Sequence, residues 1–432
     1  MRSVADALLA GDPALFTGDT ARHALGWLDH VDRYLGEWLD RASVDLPRRH
    51  ERVLLLGMGG SSSPARFYAD ERPGAAMTVL DTSNPDTVAA TDFSRAMVIA
   101  SSKSGTTVET QTLLAHALAH GANERDVVVI TDPGTTLDEW GRSAGAHVIH
   151  GDPATGGRYS ALSPFGLVPA LYCGWTPEEL RAAHRPLDRA RVEDLIARAE
   201  SDLFALDEGT GTFGLRGDPA TSGGALWLEQ LVAESTGKVG RGYIPLVEGE
   251  GERYRVAEML DYQVLTALLA RRLGVDPFDQ PNVESAKRAV FRLLGVGAED
   301  PVVDGDDPRR VLASPARFRT LQVYGPIALA EAVAPLRAAV ERVYGPTTAN
   351  LGPRYLHSTG QLHKGGPSCA AVQVIVRPRT APQRIQGRHY SFHDLHRAQA
   401  RADLLAMREA GRAAAVVEVD DLDEARALLG AE

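Results

Sequence analysis

From Arg52 onward the chain alternates short, unbroken apolar runs with stretches of helical period. The runs fall at 53–56, 77–80, 97–100, 127–130 and 148–149. A run without polar alternation marks a strand buried on both faces, and such strands joined by helical crossovers build a parallel sheet. Ligands of these sheets sit beyond the carboxyl ends of the strands, so the turns after the runs are where function is sought.

The same alternation resumes near Gly211, with strands expected at 212–215, 243–247, 320–324, 371–376 and 415–419 and a helix over 225–234. Residues 3–44 read as helix, because Leu25, Leu28, Val31, Leu35 and Leu39 follow one another at spacings of three and four. The Arg/Ala-rich stretch 181–200 reads as a joining helix, and the acidic stretch 300–310, with two prolines and one glycine, reads as an exposed loop. The expected organisation is an N-terminal helical segment over 1–44, a first domain over 45–200 and a second domain with a C-terminal extension over 201–432.

A chain of 432 residues with 44% hydrophobic and 24% charged residues has ordinary globular composition and length enough for two domains. Its net charge of −11 is spread without long runs of one sign, so neither nucleic acid nor an anionic membrane is expected as partner. Residues 1–12 lack the apolar centre of a signal peptide, and no apolar run approaches a membrane span. Cys173 and Cys369 are far apart and without metal-ligand spacing. A reduced cytoplasm is the expected location.

Two turns carry the chemistry. The run 53–56 leads into Gly57-Met58-Gly59-Gly60-Ser61-Ser62-Ser63, with a helix expected after Pro64. Glycines let backbone N–H groups approach a ligand, and a helix start aims further donors at an anion. A dinucleotide site, with Asp81 as ribose acid, lacks the third glycine of its fingerprint because Ser62 stands there. The second turn, Ser101-Ser102-Lys103-Ser104-Gly105-Thr106-Thr107, gathers hydroxyls and one ammonium, as a phosphate monoester requires. Thr106 and Glu109 fit a capping box for the following helix, and no Walker A motif occurs. A phosphosugar fits these turns better than a nucleotide.

Three longer stretches sharpen this reading: Gly156-Gly157-Arg158-Tyr159-Ser160, Phe278-Asp279-Gln280-Pro281-Asn282-Val283-Glu284-Ser285-Ala286-Lys287, and Ala233-Glu234-Ser235-Thr236-Gly237-Lys238. Together they resemble the glucose-6-phosphate isomerases of the sugar isomerase fold. The form most alike is the isomerase half of fused transaldolase/glucose-6-phosphate isomerase proteins, which shares 234–238 and the stretch from His357 to Pro367. The resemblance covers roughly 54–399 and nothing in the chain resembles the transaldolase barrel. It implies two doubly wound α/β domains of sugar-isomerase type under a helical cover.

Aldose–ketose isomerisation moves a proton between adjacent carbons while negative charge gathers on oxygen, which calls for a carboxylate base and a fixed cation. By the resemblance Glu234 is the base, Arg158 the cation, and His357 with Lys287 the pair that opens the sugar ring. The phosphate would lie against Gly59, Gly60, Ser61, Ser102, Lys103, Ser104, Thr106 and Thr107. No cofactor or metal is called for, and the resemblance implies a homodimer.

Taken singly, each of these residues has a bland reading, as a helix-end acid, a surface cation, a solvated lysine or a structural histidine. Two departures from the family pattern stand out. Lys287 precedes His357, the reverse of the usual order, which leaves His363 as a rival. Where the fused family carries Gly and Lys, this chain has His393 and His396, which with His389 have the spacing of a metal-binding helical face. The expected substrate is glucose 6-phosphate, interconverted with fructose 6-phosphate. The alternatives are another sugar phosphate, such as mannose 6-phosphate or a specialised-metabolism intermediate, and a non-catalytic phosphosugar sensor.

Overall fold

The computed structural model describes residues 2–249, 252–282, 284–295 and 306–431, with only the backbone described at 284–288 and 291. All the apolar runs become strands: β1 Val53–Gly57, β2 Met77–Leu80, β3 Met97–Ser101, β4 Val127–Thr131 and β5 His147–His150. They form one parallel sheet in the order β2-β1-β3-β4-β5. In the second half, β6 Thr210–Leu215 pairs with β7 Gly242–Val247. Then β8 Phe318–Tyr324, β9 Thr347–Gly352, β10 Cys369–Val376 and β11 Ala413–Val419 form a parallel sheet in the order β11-β10-β8-β9. The fold is α/β with parallel sheets throughout.

Strand β9 has no apolar run to announce it. Its sequence, Thr-Thr-Ala-Asn-Leu-Gly, is buried at every position because its polar groups find partners. Thr347 Oγ1 donates to the Gly345 carbonyl at 2.7 Å, and Asn350 Nδ2 donates to the Glu229 carboxyl at 2.6 Å. A buried polar group that is hydrogen-bonded carries little penalty, so polarity alone does not exclude a strand.

The single helix expected over 23–39 is a correction. The chain makes 3-10 turns at Thr20–His23 and Gly26–Asp29, then short helices His30–Tyr34 and Glu37–Asp45. Docking breaks it: Gly26 N donates to the Ala154 carbonyl at 2.9 Å and Leu25 bridges Thr155, so the segment follows the 152–155 loop instead of its own axis. A Cβ on Gly26 would lie 2.9 Å from that carbonyl and closer still to the Asp152 carboxylate. The apolar spacing survives as burial, with Trp27, Val31, Leu35 and Leu39 in the core.

One hydrophobic core joins this N-terminal cover and one face of the first sheet to residues between 159 and 278, including Trp227 and Tyr243. The other face packs on Phe392, Leu395, Ala398 and Ala402 of the C-terminal helix Phe392–Glu409. Side chains from the second half thereby lie beside the carboxyl ends of the first sheet. The stretch 300–305 lies outside the described residues; after it the chain forms a helix, Pro308–Leu312. Among the described residues no helix is long and apolar enough to cross a membrane.

Candidate functional site

Strands β1 and β3 are parallel neighbours with Gly57 opposite Ser101, so the two turns they feed emerge side by side. In the first, Gly59 takes the left-handed conformation at φ +54°, and a Cβ there would lie 2.5 Å from the His357 carbonyl and 2.9 Å from Gln230 Nε2. A Cβ on Gly60 would lie 2.9 Å from Arg158 N and nearer still to the Gly157 carbonyl. The glycines therefore let this turn lie directly against the segments that carry Arg158, His357 and the helix Gly223–Thr236. Ser61 is buried with them.

The second turn is tied internally, with Ser102 Oγ 2.8 Å from Thr107 Oγ1 and Ser104 Oγ 3.0 Å from Thr106 Oγ1. Lys103 does not face these hydroxyls. Its ammonium pairs with the Asp132 carboxylate and donates to the Asp152 carbonyl at 3.1 Å. Asp132 nevertheless titrates above its usual range, because burial outweighs the lysine's pull. The expected capping box is also absent. The helix Val108–Ala119 begins after Thr107, which makes no side-chain cap, and Glu109 turns away from the helix start. Glu109 Oε1 lies 2.9 Å from His357 Nε2 and accepts from Gln399 Nε2 at 2.6 Å.

Glu234 lies in the last turn of the wholly buried helix Gly223–Thr236, which Ser222 caps by accepting from Ala225 N. The chain leaves this helix at Gly237, where a Cβ would lie 2.5 Å from Leu362 Cα. Gln230, one turn earlier on the same face, donates from Nε2 to Glu234 Oε2 at 3.1 Å and to the His357 carbonyl at 2.9 Å. Its oxygen accepts from Ser63 Oγ at 2.9 Å, and the His357 carbonyl, which can only accept, settles the orientation of the amide. Arg158 Nη1 is 3.8 Å from Glu234 Oε1. The rest of that guanidinium donates to Ser235 Oγ at 2.9 Å and to the carbonyls of Pro277 and Asp279 at 2.5 and 2.9 Å. Both members of the pair are buried.

The stretch 278–287 is drawn in at its start and at Asn282. Arg158 holds its start, and Gln361 exchanges two bonds with Asn282, at 3.0 Å to the backbone N–H and 2.8 Å to the side chain. Lys287 falls on the helix Glu284–Gly295, but its side chain lies outside the described residues. Lys238, buried, pairs with Asp279 at 2.7 Å and donates to the Asp276 carbonyl. Burial, seconded by the charge of Arg158, pushes its ammonium down to about 8.

The two histidine candidates separate cleanly. His357 is one-fifth exposed and touches the site. His363 is sealed in the core under β8, with Nε2 3.2 Å from Thr320 Oγ1 and Nδ1 3.2 Å from Gln322 Nε2, and burial holds it well below the usual histidine range. The C-terminal histidines do not share one face around an ion. His389 lies against the Leu294 carbonyl, His393 against the Thr380 carbonyl and His396 against Ser83, and no group of potential metal ligands occurs among the described residues. Asp81 faces no ribose: it is buried in an ion triad with Arg66 at 2.8 Å and Arg354 at 2.9 Å.

The structure thus links the helix after the second turn, through Glu109, His357, Gln230 and Glu234, to Arg158 and the first turn at Gly60. Sequence reasoning missed Glu109, Gln230 and Lys238 as members. Gln230 was detectable, since i and i+4 share a helix face; Glu109 was not, its local pattern being that of a cap.

No family model matches the chain. It is similar to the glucose-6-phosphate isomerase of Campylobacter jejuni, 24% identical over 206 residues, or 44% of this chain and 50% of the relative. The enzyme of the same description from Rippkaea orientalis is 32% identical over 210 residues, 43% of this chain and 40% of the relative. That of Thermus thermophilus is 32% identical over 170 residues, 35% of this chain and 39% of the relative. The matched stretch spans half or less of each. A solved glucose-6-phosphate isomerase structure from Chlamydia trachomatis aligns over 68% of this chain and 79% of that chain, at 16% identity and a TM-score of 0.42. No functional weight attaches to a superposition that loose.

Proposed function

We propose that the chain is a sugar-phosphate aldose–ketose isomerase acting between glucose 6-phosphate and fructose 6-phosphate. The observation that carries this is the approach of Glu234 and Arg158, buried and 3.8 Å apart, beside the glycine turn and His357. In the open-chain aldose Glu234 takes the proton from C2, the released electron pair forms the C1–C2 double bond, and O1 gains a proton. The carbon-bound proton then passes from Glu234 to C1, taking the electron pair of the C1–C2 double bond, while O2 gives up its proton and forms the C2 carbonyl of the ketose. Arg158 stabilises the negative charge that passes over the oxygens, without reorganising, because Ser235 and two carbonyls already hold it. His357, backed by Glu109, moves the proton that opens the sugar ring, with Lys287 as the partner that the resemblance assigns. The hydroxyls of Ser102, Ser104, Thr106 and Thr107, with the turn at Gly59, Gly60 and Ser61, receive the phosphate. The likeness of 234–238 and 357–367 to the fused transaldolase proteins supports the same reading.

The test is exchange of the C2 hydrogen of glucose 6-phosphate in deuterated water. Wild type is expected to wash it out, and Glu234→Gln to slow the washout by about 10² to 10⁴, the usual contribution of general acid–base catalysis. Wild-type exchange retained in Glu234→Gln removes the base assignment. Exchange on a different sugar phosphate alone moves the substrate, and binding without exchange on any would make the protein a sensor.

A further inference from the structure

Behind Glu109, which backs His357, runs a line of buried side chains that the reaction above leaves unused. Glu109 Oε1 accepts from Gln399 Nε2 at 2.6 Å, and Gln399 Oε1 accepts from Ser83 Oγ at 2.5 Å. Ser83 Oγ lies 3.2 Å from His396 Nδ1, and His396 Nε2 lies 3.4 Å from Asn84 Nδ2. Ser83 and Asn84 follow β2, whereas His396 and Gln399 stand one turn apart on the helix Phe392–Glu409, so the line crosses from the first sheet to the second half of the chain. Its members from Asn84 to Glu109 are no more than 3% exposed, and only His357 reaches solvent.

Both ends of this line fix the direction of its hydrogen bonds. Asn84 caps the helix Pro85–Ala89, its Oδ1 accepting from Thr87 N at 3.1 Å. A backbone N–H can only donate, so the amide cannot be flipped and Nδ2 must face His396 as a donor. His396 Nε2 then carries a lone pair, and Nδ1 carries the hydrogen that goes to Ser83. Burial pushes His396 down to about 3, which keeps the ring neutral. Ser83 passes its hydrogen to Gln399 Oε1, and the Gln399 amide faces Glu109 with its N–H. With Glu109 as a carboxylate, the far end of the line can only accept. The bond between Glu109 and His357 must therefore be donated by His357 Nε2.

We propose that Asn84, His396, Ser83 and Gln399 form a one-way hydrogen-bond chain that positions Glu109 and fixes His357 as the Nε2–H tautomer, with Nδ1 as its proton acceptor. The proposal rests on the isomerase reading only for the use made of that nitrogen. Which nitrogen of a histidine is protonated is set by the bond the other nitrogen makes, so a residue three side chains away can decide which face of the ring is basic. His396, Ser83 and Gln399 are on this view positioning residues, and His357 is the one member of the line that touches substrate.

Nitrogen-15 NMR of the full-length, histidine-labelled protein reads the tautomer of each imidazole directly, with His357 assigned by its loss in His357→Gln. The expected wild-type result is the Nε2–H form for His357 and the Nδ1–H form for His396. His396→Leu removes the donor to Ser83 and is expected to shift the His357 resonances. His396→Asn keeps a donor at the Nδ1 place and is expected to restore them. On glucose 6-phosphate His396→Leu should lose about tenfold in kcat with KM held within about twofold, a fraction of what acid–base catalysis supplies. A wild-type His357 in the Nδ1–H form overturns the proposal, as do His357 resonances indifferent to His396→Leu. The spectra need no turnover. A protein that shows the expected tautomers but exchanges no C2 hydrogen would sink the isomerase reading and leave this chain of bonds standing.

Discussion

Replacing Gly60 by alanine tests the close packing on which the site depends. Gly60 has no left-handed backbone to lose, so the substitution acts through its added methyl alone. That carbon would lie 2.9 Å from Arg158 N, and nearer to the Gly157 carbonyl, where ordinary contact begins at 3.4 Å. The obstacles are backbone atoms and cannot swing aside, so the turn and the Arg158 segment must part by half an ångström or more. Overpacking of this kind costs about 1–3 kcal/mol, against a gain of about 0.4–1 kcal/mol from restricting the unfolded chain. The expected net is a modest loss, read as a fall of a few degrees in Tm. Its effect on turnover is larger, because a displacement near 1 Å in a catalytic group can cost about 10²-fold. Gly60→Ala is therefore expected to slow C2 hydrogen exchange by about 10- to 100-fold. Gly157→Ala serves as the stability control, since nothing lies within 4 Å of the place its Cβ would take. A Gly60→Ala protein with wild-type Tm and an exchange rate within about threefold of wild type would refute the packing argument.

Two further expectations concern buried titratable groups. Burial pushes the Glu229 carboxyl up to about 8, with Asn350 its hydrogen-bond donor. The folded state then holds a proton that the unfolded state releases near the usual 4.5, so stability falls as pH rises from about 4.5 to about 8 and levels off above. Glu229→Gln, which stays neutral, is expected to melt higher than wild type by a margin that widens across that window; a margin independent of pH in thermal melts would contradict it. His363→Ala leaves Thr320 and Gln322 without their buried partner and is expected to cost about 1–3 kcal/mol in chemical unfolding. His357→Gln is expected to spare stability and cut turnover of the closed-ring sugar, and the reverse pattern for the two histidines would reinstate His363.

Much of the site was legible because its residue types sit in local patterns. The run into Gly59 and Gly60 reads as a strand ending in a turn that admits close approach, and the structure uses that approach against protein backbone. Lys103 illustrates the opposite case. A lysine among hydroxyls reads as a phosphate ligand, yet Asp132 and Asp152, from the turns after β4 and β5, draw it to their side. Neither carboxylate nor carbonyl is near it in sequence.

What the sequence by itself determined is whatever neighbours decide: buried strands, glycine turns, and the helix face shared by Gln230 and Glu234. These depend on period and backbone conformation over a few residues. Only the tertiary structure decided which histidine lies beside Glu109 and which is sealed in the core, why Glu109 forgoes its cap, where the N-terminal helix breaks and how polar β9 becomes a strand. The Glu109–His357 and Glu109–Gln399 bonds join residues 248 and 290 positions apart. At such separations a partner is chosen by where the sheets bring the chain, and the drive to satisfy every buried polar group then overrides local preference.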